Sequence, residues 1–66
     1  MTLAEQIRFV SEQAAMHLKA AEACEKAPSG LRWAHLAAEY REEAASLLCI
    51  EITLREMAVR ERAWQD

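Results

Sequence analysis

The chain has one glycine, one proline and two cysteines among its 66 residues, and it has no long uninterrupted apolar run. Glycine and proline are the strongest breakers of regular structure, so their scarcity favours long helices. Two cysteines are too few for a disulfide framework, and neither lies in the CxxC or cysteine–histidine spacing of a zinc site. A chain this short buries a thin core, so we expect oligomerisation to supply the missing stability.

The most apolar stretch, LLCIEITL at residues 47–54, is interrupted by Glu51 and followed by Arg55. A membrane span needs about 18 or more apolar residues, and no run in the sequence comes near that length. The first residues, MTLAEQIRFVSEQ, carry acidic and amide groups where a secretory signal has a basic start. We therefore expect a cytoplasmic protein that does not bind a membrane.

The chain also lacks a strong excess of charge of either sign. Its net charge is only −3, and each half of the sequence carries part of that net charge. The basic side chains near the end of the chain, Arg55, Arg60 and Arg62, alternate with Glu56 and Glu61. Phosphate binding requires bases that are not opposed by acids, so this mixed face is typical of a solvated, salt-bridged helix. Nucleic acid is therefore not expected as a partner.

The single proline and the single glycine lie together in KAPSGLR, residues 26–32, and everything on either side is rich in helix formers. This arrangement predicts an all-α fold: one helical-hairpin domain spanning residues 1–66, with a helix over about 2–26, a turn at 27–30 and a helix over about 30–64. The two long helices are then antiparallel.

Local signals predict where the helices begin and end. Thr2 followed by Glu5 matches a capping box at the start of the first helix. Ala27 precedes proline, which biases it away from helix, and Ser29 is a natural N-cap for the second helix.

The segment CIEITLR, residues 49–55, allows a second reading, because apolar and polar residues alternate in it as in a half-buried strand. We reject this reading because both flanks are strongly helical and a lone strand has nothing to pair with.

Apolar residues of the first helix recur at spacings of four and three and form one continuous seam. It becomes rich in alanine toward the turn, where Trp33 and Tyr40 of the second helix are expected to fill the space, and His17 lies level with Tyr40. The seam comprises Leu3, Ile7, Val10, Ala14, His17, Ala21 and Cys24.

The second helix has two apolar strips, and one neighbouring helix cannot cover both. We expect the first helix to cover one strip and a second copy of the chain to cover the other, which gives a homodimeric four-helix bundle. Glu51 lies within the first strip, where Arg55 or Arg8 is the expected ion-pair partner. The first strip comprises Trp33, Leu36, Tyr40, Ala44, Leu47, Leu54 and Ala58; the second comprises Ala38, Ala45, Leu48, Ile52 and Val59.

Cys24 and Cys49 are expected about 24 Å apart along the hairpin, since some 16 residues separate their levels. That distance forbids an intramolecular disulfide. We expect two free, buried thiols, in keeping with a reducing cytoplasm.

The second helix is predicted to extend about 11 residues beyond the first, and apolar residues continue along this overhang. We expect a non-enzymatic protein that binds and modulates, most simply by inhibition, a partner such as a transcription regulator or a molecular machine. In form the chain is similar to small bacterial and phage-encoded adaptor and inhibitor proteins. The expected partner-binding residues are Arg55, Met57, Arg60 and Trp64, with Tyr40 and His35 behind them.

Two other functions are open at this stage. His35 and Glu39 at i and i+4, with Glu42 nearby, are spaced so that a dimer can bring metal-ligating side chains together, although the Glu-x-x-His pairs of di-iron bundles are missing. The second alternative is that the protein is a structural subunit of a larger assembly. Catalysis is not expected, because no third group orients His17 and Tyr40, and no cofactor or metal is predicted.

Overall fold

A computed structural model describes residues 2–27 and 30–65, with side chains described as far as residue 62. Helix α1 spans Leu3–Lys26 and helix α2 spans Leu31–Gln65, and the two pack against each other as a hairpin. The molecule measures 55 × 15 × 14 Å. Its long dimension is the length of α2, since 35 residues at about 1.5 Å each give about 52 Å. The predicted all-α hairpin is confirmed, and residues 49–55 are helical.

The ends of α1 have the predicted caps. The Thr2 hydroxyl accepts a hydrogen bond from the Glu5 N–H at 3.2 Å, and the Thr2 carbonyl accepts one from the Gln6 N–H at 3.0 Å. At the other end Ala27 is extended, with φ −66° and ψ 146°, and its N–H donates to the Cys24 carbonyl at 3.3 Å. The residue before proline therefore ends the helix, as expected.

The start of α2 is described from Gly30 onward. The Gly30 carbonyl accepts hydrogen bonds from the N–H groups of Trp33 at 3.1 Å and Ala34 at 3.3 Å, which closes the first turn. The predicted N-cap, Ser29, lies outside the described residues.

The contact between the helices is a seam of small side chains. Ala14 and Ala21 of α1 are seven residues apart, as are Ala37 and Ala44 of α2, and each is at most 5% exposed. Cys24 is buried beside them, and among the described residues no large side chain is fully buried. Alanine allows two helix backbones to approach closely, so this hairpin is held by a narrow contact.

Two details of the seam differ from the expectation. Trp33 is 42% exposed and therefore only partly covers the alanine-rich end of α1. Ala37, which lay in neither predicted strip, is buried in its place. The small residue faces α1 because it permits the closest approach, and the bulky indole is displaced to the side.

Two ion pairs flank the seam. Glu51, the carboxylate within the apolar stretch of α2, is paired with Arg55 one turn later, Nε to Oε2 at 3.2 Å, as predicted. Only 16% of the Glu51 side chain is exposed, against 60% for Arg55. Between the helices, Arg41 donates from Nε to Oε1 of Glu25 at 2.7 Å, with both side chains about half exposed.

Neither α1 nor α2, over the part of the chain that the structure describes, is long and apolar enough to cross a lipid bilayer.

Candidate interaction surface

The most extended apolar surface runs along α2 and is open to solvent. Its large members are Leu48, Ile52 and Val59, which are 40%, 57% and 66% exposed. Ala38 and Ala45 continue it toward the turn and are also exposed. These five residues are the second apolar strip of the sequence and are called the α2 strip below. Within the hairpin, α1 covers none of them.

The C-terminal part of the α2 strip forms a shallow depression of about 420 Å³. Ile52 and Val59 lie in it, together with the charged side chains of Arg55, Glu56 and Arg60. Aliphatic side chains beside charges of both signs resemble the centre and rim of a protein–protein interface more than a small-molecule site, which is usually concave and enclosed.

Other large apolar side chains are exposed away from this strip. On α2, Ile50 is 48% and Met57 45% exposed; on α1, Phe9 is 53% and Met16 61% exposed. Met57 lies roughly 100–180° around α2 from the residues of the strip, at about 100° per residue. The hairpin therefore has apolar surface on more than one side.

The six residues predicted to bind a partner do not form one patch. Met57, Arg60 and Trp64 follow one another at spacings of three and four, which places these positions on one face of α2. Met57 and Arg60 are exposed there, whereas the side chain of Trp64 lies outside the described residues.

The other three are not on this face. Arg55 lies beside Glu51 and lines the depression of the α2 strip, as Arg60 also does. Tyr40 is half-buried against α1, and His35 is exposed near the turn. Tyr40 is 17 positions before Met57, about 25 Å along the helix, so these two cannot contact the same small epitope.

The two side chains considered for catalysis are in contact but make no catalytic arrangement. The rings of His17 and Tyr40 pack edge to face with centroids 5.9 Å apart. The Nδ1 of His17 is 2.7 Å from the Gln13 carbonyl, which can only accept, so Nδ1 is the donor. The imidazole is thus held by its own helix, as a structural histidine is.

Beside this pair lies an open groove of about 420 Å³ whose walls are mainly on α2. It is lined by His17, Leu36, Glu39, Tyr40, Glu42, Glu43 and Ser46. His35, the histidine of the metal-site alternative, is not among them. Within residues 2–27 and 30–65, no three histidine, cysteine or acidic side chains come together in a way that could hold a metal ion.

The two cysteines differ in exposure. Both are free; Cys24 is buried in the seam and Cys49 is exposed. The expectation that both thiols are buried is therefore wrong for Cys49. The misassignment follows from the neighbouring isoleucines, Ile50 and Ile52, which suggested a buried stretch although both are themselves about half exposed.

Comparison with known proteins adds no relative to this description, because no protein-family model, curated protein or solved structure matches the chain.

Proposed function

We propose that this protein is a non-enzymatic interaction module that forms a homodimer and binds and modulates another protein. The expected effect on the partner is inhibition by occupying one of its surfaces, and a transcription regulator or a component of a molecular machine is the expected class of partner. Contact with the partner involves the α2 overhang, where Met57, Arg60 and Trp64 occupy one face.

The observation that supports this proposal is the inverted distribution of side-chain size. The described core residues are four alanines and one cysteine, whereas large apolar side chains on both helices are 40% or more exposed. Extensive exposed apolar surface usually marks an interaction site in a soluble protein. A chain of 66 residues buries little apolar area by itself, so a partner that covers this surface also stabilises the fold.

The absence of an enclosed, chemically equipped cavity favours binding over catalysis. Among the described residues, the groove beside His17 and Tyr40 is open, and the imidazole Nδ1 is already bonded to the backbone. A catalytic base requires an oriented partner and a position for the reacting atom, and this groove offers neither.

The partner-binding face is tested with two charge-changing variants of equal size. Arg60→Glu, combined with Met57→Ala, alters the proposed face, while Arg32→Glu makes the same charge change at an exposed position near the turn. A partner captured by the unmodified protein and by Arg32→Glu should be lost with the double variant, because a desolvated anchor and its charged neighbour are both replaced.

The readout is binding of the isolated partner by titration, with absolute mass in solution measured on every variant. Loss of binding at constant oligomeric state assigns the face to the partner. Equal binding by all three proteins would refute the assignment of Met57 and Arg60.

A further inference from the structure

We propose that the α2 strip pairs with the same strip of a second copy in antiparallel orientation, with a two-fold axis level with Leu48 and Cys49. This inference rests on the homodimer of the proposed function and specifies how its subunits meet. It is independent of what binds to Met57, whereas Arg60 lines the depression that contains Ile52 and Val59.

The hairpin leaves enough surface open for a second copy to cover. The accessible surface of the chain is 5438 Å². A compact monomer of 7.5 kDa has about 4,200 Å², so the hairpin exposes about 1,200 Å² more than expected, the difference of these two values. A stable protein–protein interface buries about 800 Å² on each partner. One symmetric contact along the 55 Å hairpin therefore removes about two thirds of the excess.

Side-chain size along the α2 strip selects the orientation. Ala38, Ala45, Ile52 and Val59 follow one another at intervals of seven residues, small ones first and large ones last. In an antiparallel pair centred on Leu48 and Cys49, Ala38 lies opposite Val59 of the second copy and Ala45 opposite its Ile52. Large side chains then meet small ones, which fills space evenly. A parallel pair puts alanine on alanine at one end and large side chains on large ones at the other, and one helix spacing cannot pack both ends closely.

Charge selects the same orientation. Arg41, Arg55 and Arg62 lie three residues after Ala38, Ile52 and Val59, so they border the same surface. A parallel, in-register pair brings each arginine against its own copy. The antiparallel pair instead places Arg41, which is also paired with Glu25 of its own chain, level with Glu56 of the second copy.

The two ends of α2 differ in charge as well. Residues 35–48 carry three acids and one base, whereas residues 49–62, which lie opposite them in the antiparallel pair, carry three acids and three bases. Antiparallel pairing therefore sets a net −2 segment against a neutral one, whereas parallel pairing sets the net −2 segment against its own copy. Like charges brought together cost binding energy, so the parallel alternative is disfavoured.

Single-cysteine cross-linking distinguishes the orientations. The native thiols are removed by Cys24→Ala and Cys49→Ser, and Ala38→Cys and Val59→Cys are introduced into separate proteins, both at exposed positions. The two proteins are mixed, allowed to exchange subunits and treated with a short bis-maleimide. Helix content by circular dichroism and mass by light scattering are measured on each.

The antiparallel pair predicts a mixed product that joins position 38 to position 59, with no product joining 38 to 38. In this arrangement the two copies of position 38 are separated by 21 residues, about 31 Å, along the helix axis. A short bis-maleimide cannot span that distance. Arg41→Cys and Glu56→Cys, both at exposed positions and 15 residues or about 22 Å apart in level, form a second matched pair with the same expectation, for use if one of the first variants does not fold.

Products joining 38 to 38 and 59 to 59 would overturn the orientation while leaving the dimer intact. A monomeric mass for the unmodified chain across a wide concentration range would overturn the pairing altogether. Because Arg60 lines the depression of the strip, partner binding is also titrated with the single variant Met57→Asp, whose position lies on another side of α2. Failure of this inference and failure of partner binding are then seen separately.

Discussion

The surface between α1 and α2 and the outer strip of α2 differ in the size of their side chains. Ala14, Ala21, Ala37 and Ala44 are 5% exposed or less, while Ile52 and Val59 of the strip are more than half exposed. In most small domains large side chains fill the interior, because burying one contributes about 1.5–3 kcal/mol. Here the fully buried side chains are small and several leucines of α2 are only partly buried, while the large side chains of the strip are available for another contact.

The difference indicates that different interactions stabilise contacts at the two surfaces. The seam depends on close approach, so it tolerates little change in volume. The strip depends on apolar area, so it tolerates exchange of one aliphatic residue for another but not the introduction of charge. Substitutions that exploit this distinction have effects of different size and on different measurements.

The largest effect is expected from Ile52→Asp, which introduces a charge into the middle of the strip. In the proposed dimer two apolar side chains are lost at about 1.5–3 kcal/mol each, so self-association should weaken by at least about a hundredfold. Absolute mass across a concentration series measures the change. Thr53→Asp, one residue away and exposed, is the control. Similar dissociation constants for the two variants would show that the strip does not mediate pairing.

A smaller effect, on a different property, is expected from Ala21→Leu. Ala21 is 0% exposed, and a larger side chain there forces the helices apart at a cost of about 1–3 kcal/mol in the free energy of unfolding. Urea denaturation followed by circular dichroism measures it at fixed protein concentration. Ala15→Leu, exposed on the same helix, should change stability by no more than about 0.5 kcal/mol. If Ala21→Leu were equally neutral, close packing would not hold the hairpin.

The smallest effect is expected from Glu51→Leu, which replaces the mostly buried carboxylate beside the seam. Removing a charge that Arg55 only partly compensates, and adding apolar area, should raise the free energy of unfolding by about 1 kcal/mol. Arg55→Ala is the matched variant and should lower it by less than about 1 kcal/mol, because Arg55 is 60% exposed. A marked loss of stability in Glu51→Leu would mean that the ion pair contributes more than its exposed arginine suggests.

The limits of the helices and one ion pair were predictable from the sequence. A single proline next to a single glycine leaves one place for the turn, and Thr2 and Ala27 set the ends of α1 through local hydrogen bonding and backbone sterics alone. The pairing of Glu51 with Arg55 follows from their i, i+4 spacing. All these features depend on residues close together in the chain.

The rotation of α2 about its own axis was not predictable in the same way. Apolar residues cover so much of α2 that several faces are compatible with burial, and the choice depends on which face lets α1 approach most closely. That choice buries Ala37, displaces Trp33 and leaves Cys49 in solvent. The partner-binding residues are a harder case, because a partner's surface leaves no trace in the spacing of a single chain.

The seven-residue interval from Ala38 to Val59 has a geometric consequence. Seven residues at about 100° each fall about 20° short of two full turns, so over three intervals the line of these side chains drifts about 60° around α2. A straight helix packed parallel to α2 would therefore lose contact with this line before reaching either end. Anything that follows the whole line must lean across α2 at about 20° and wind around it in a left-handed sense.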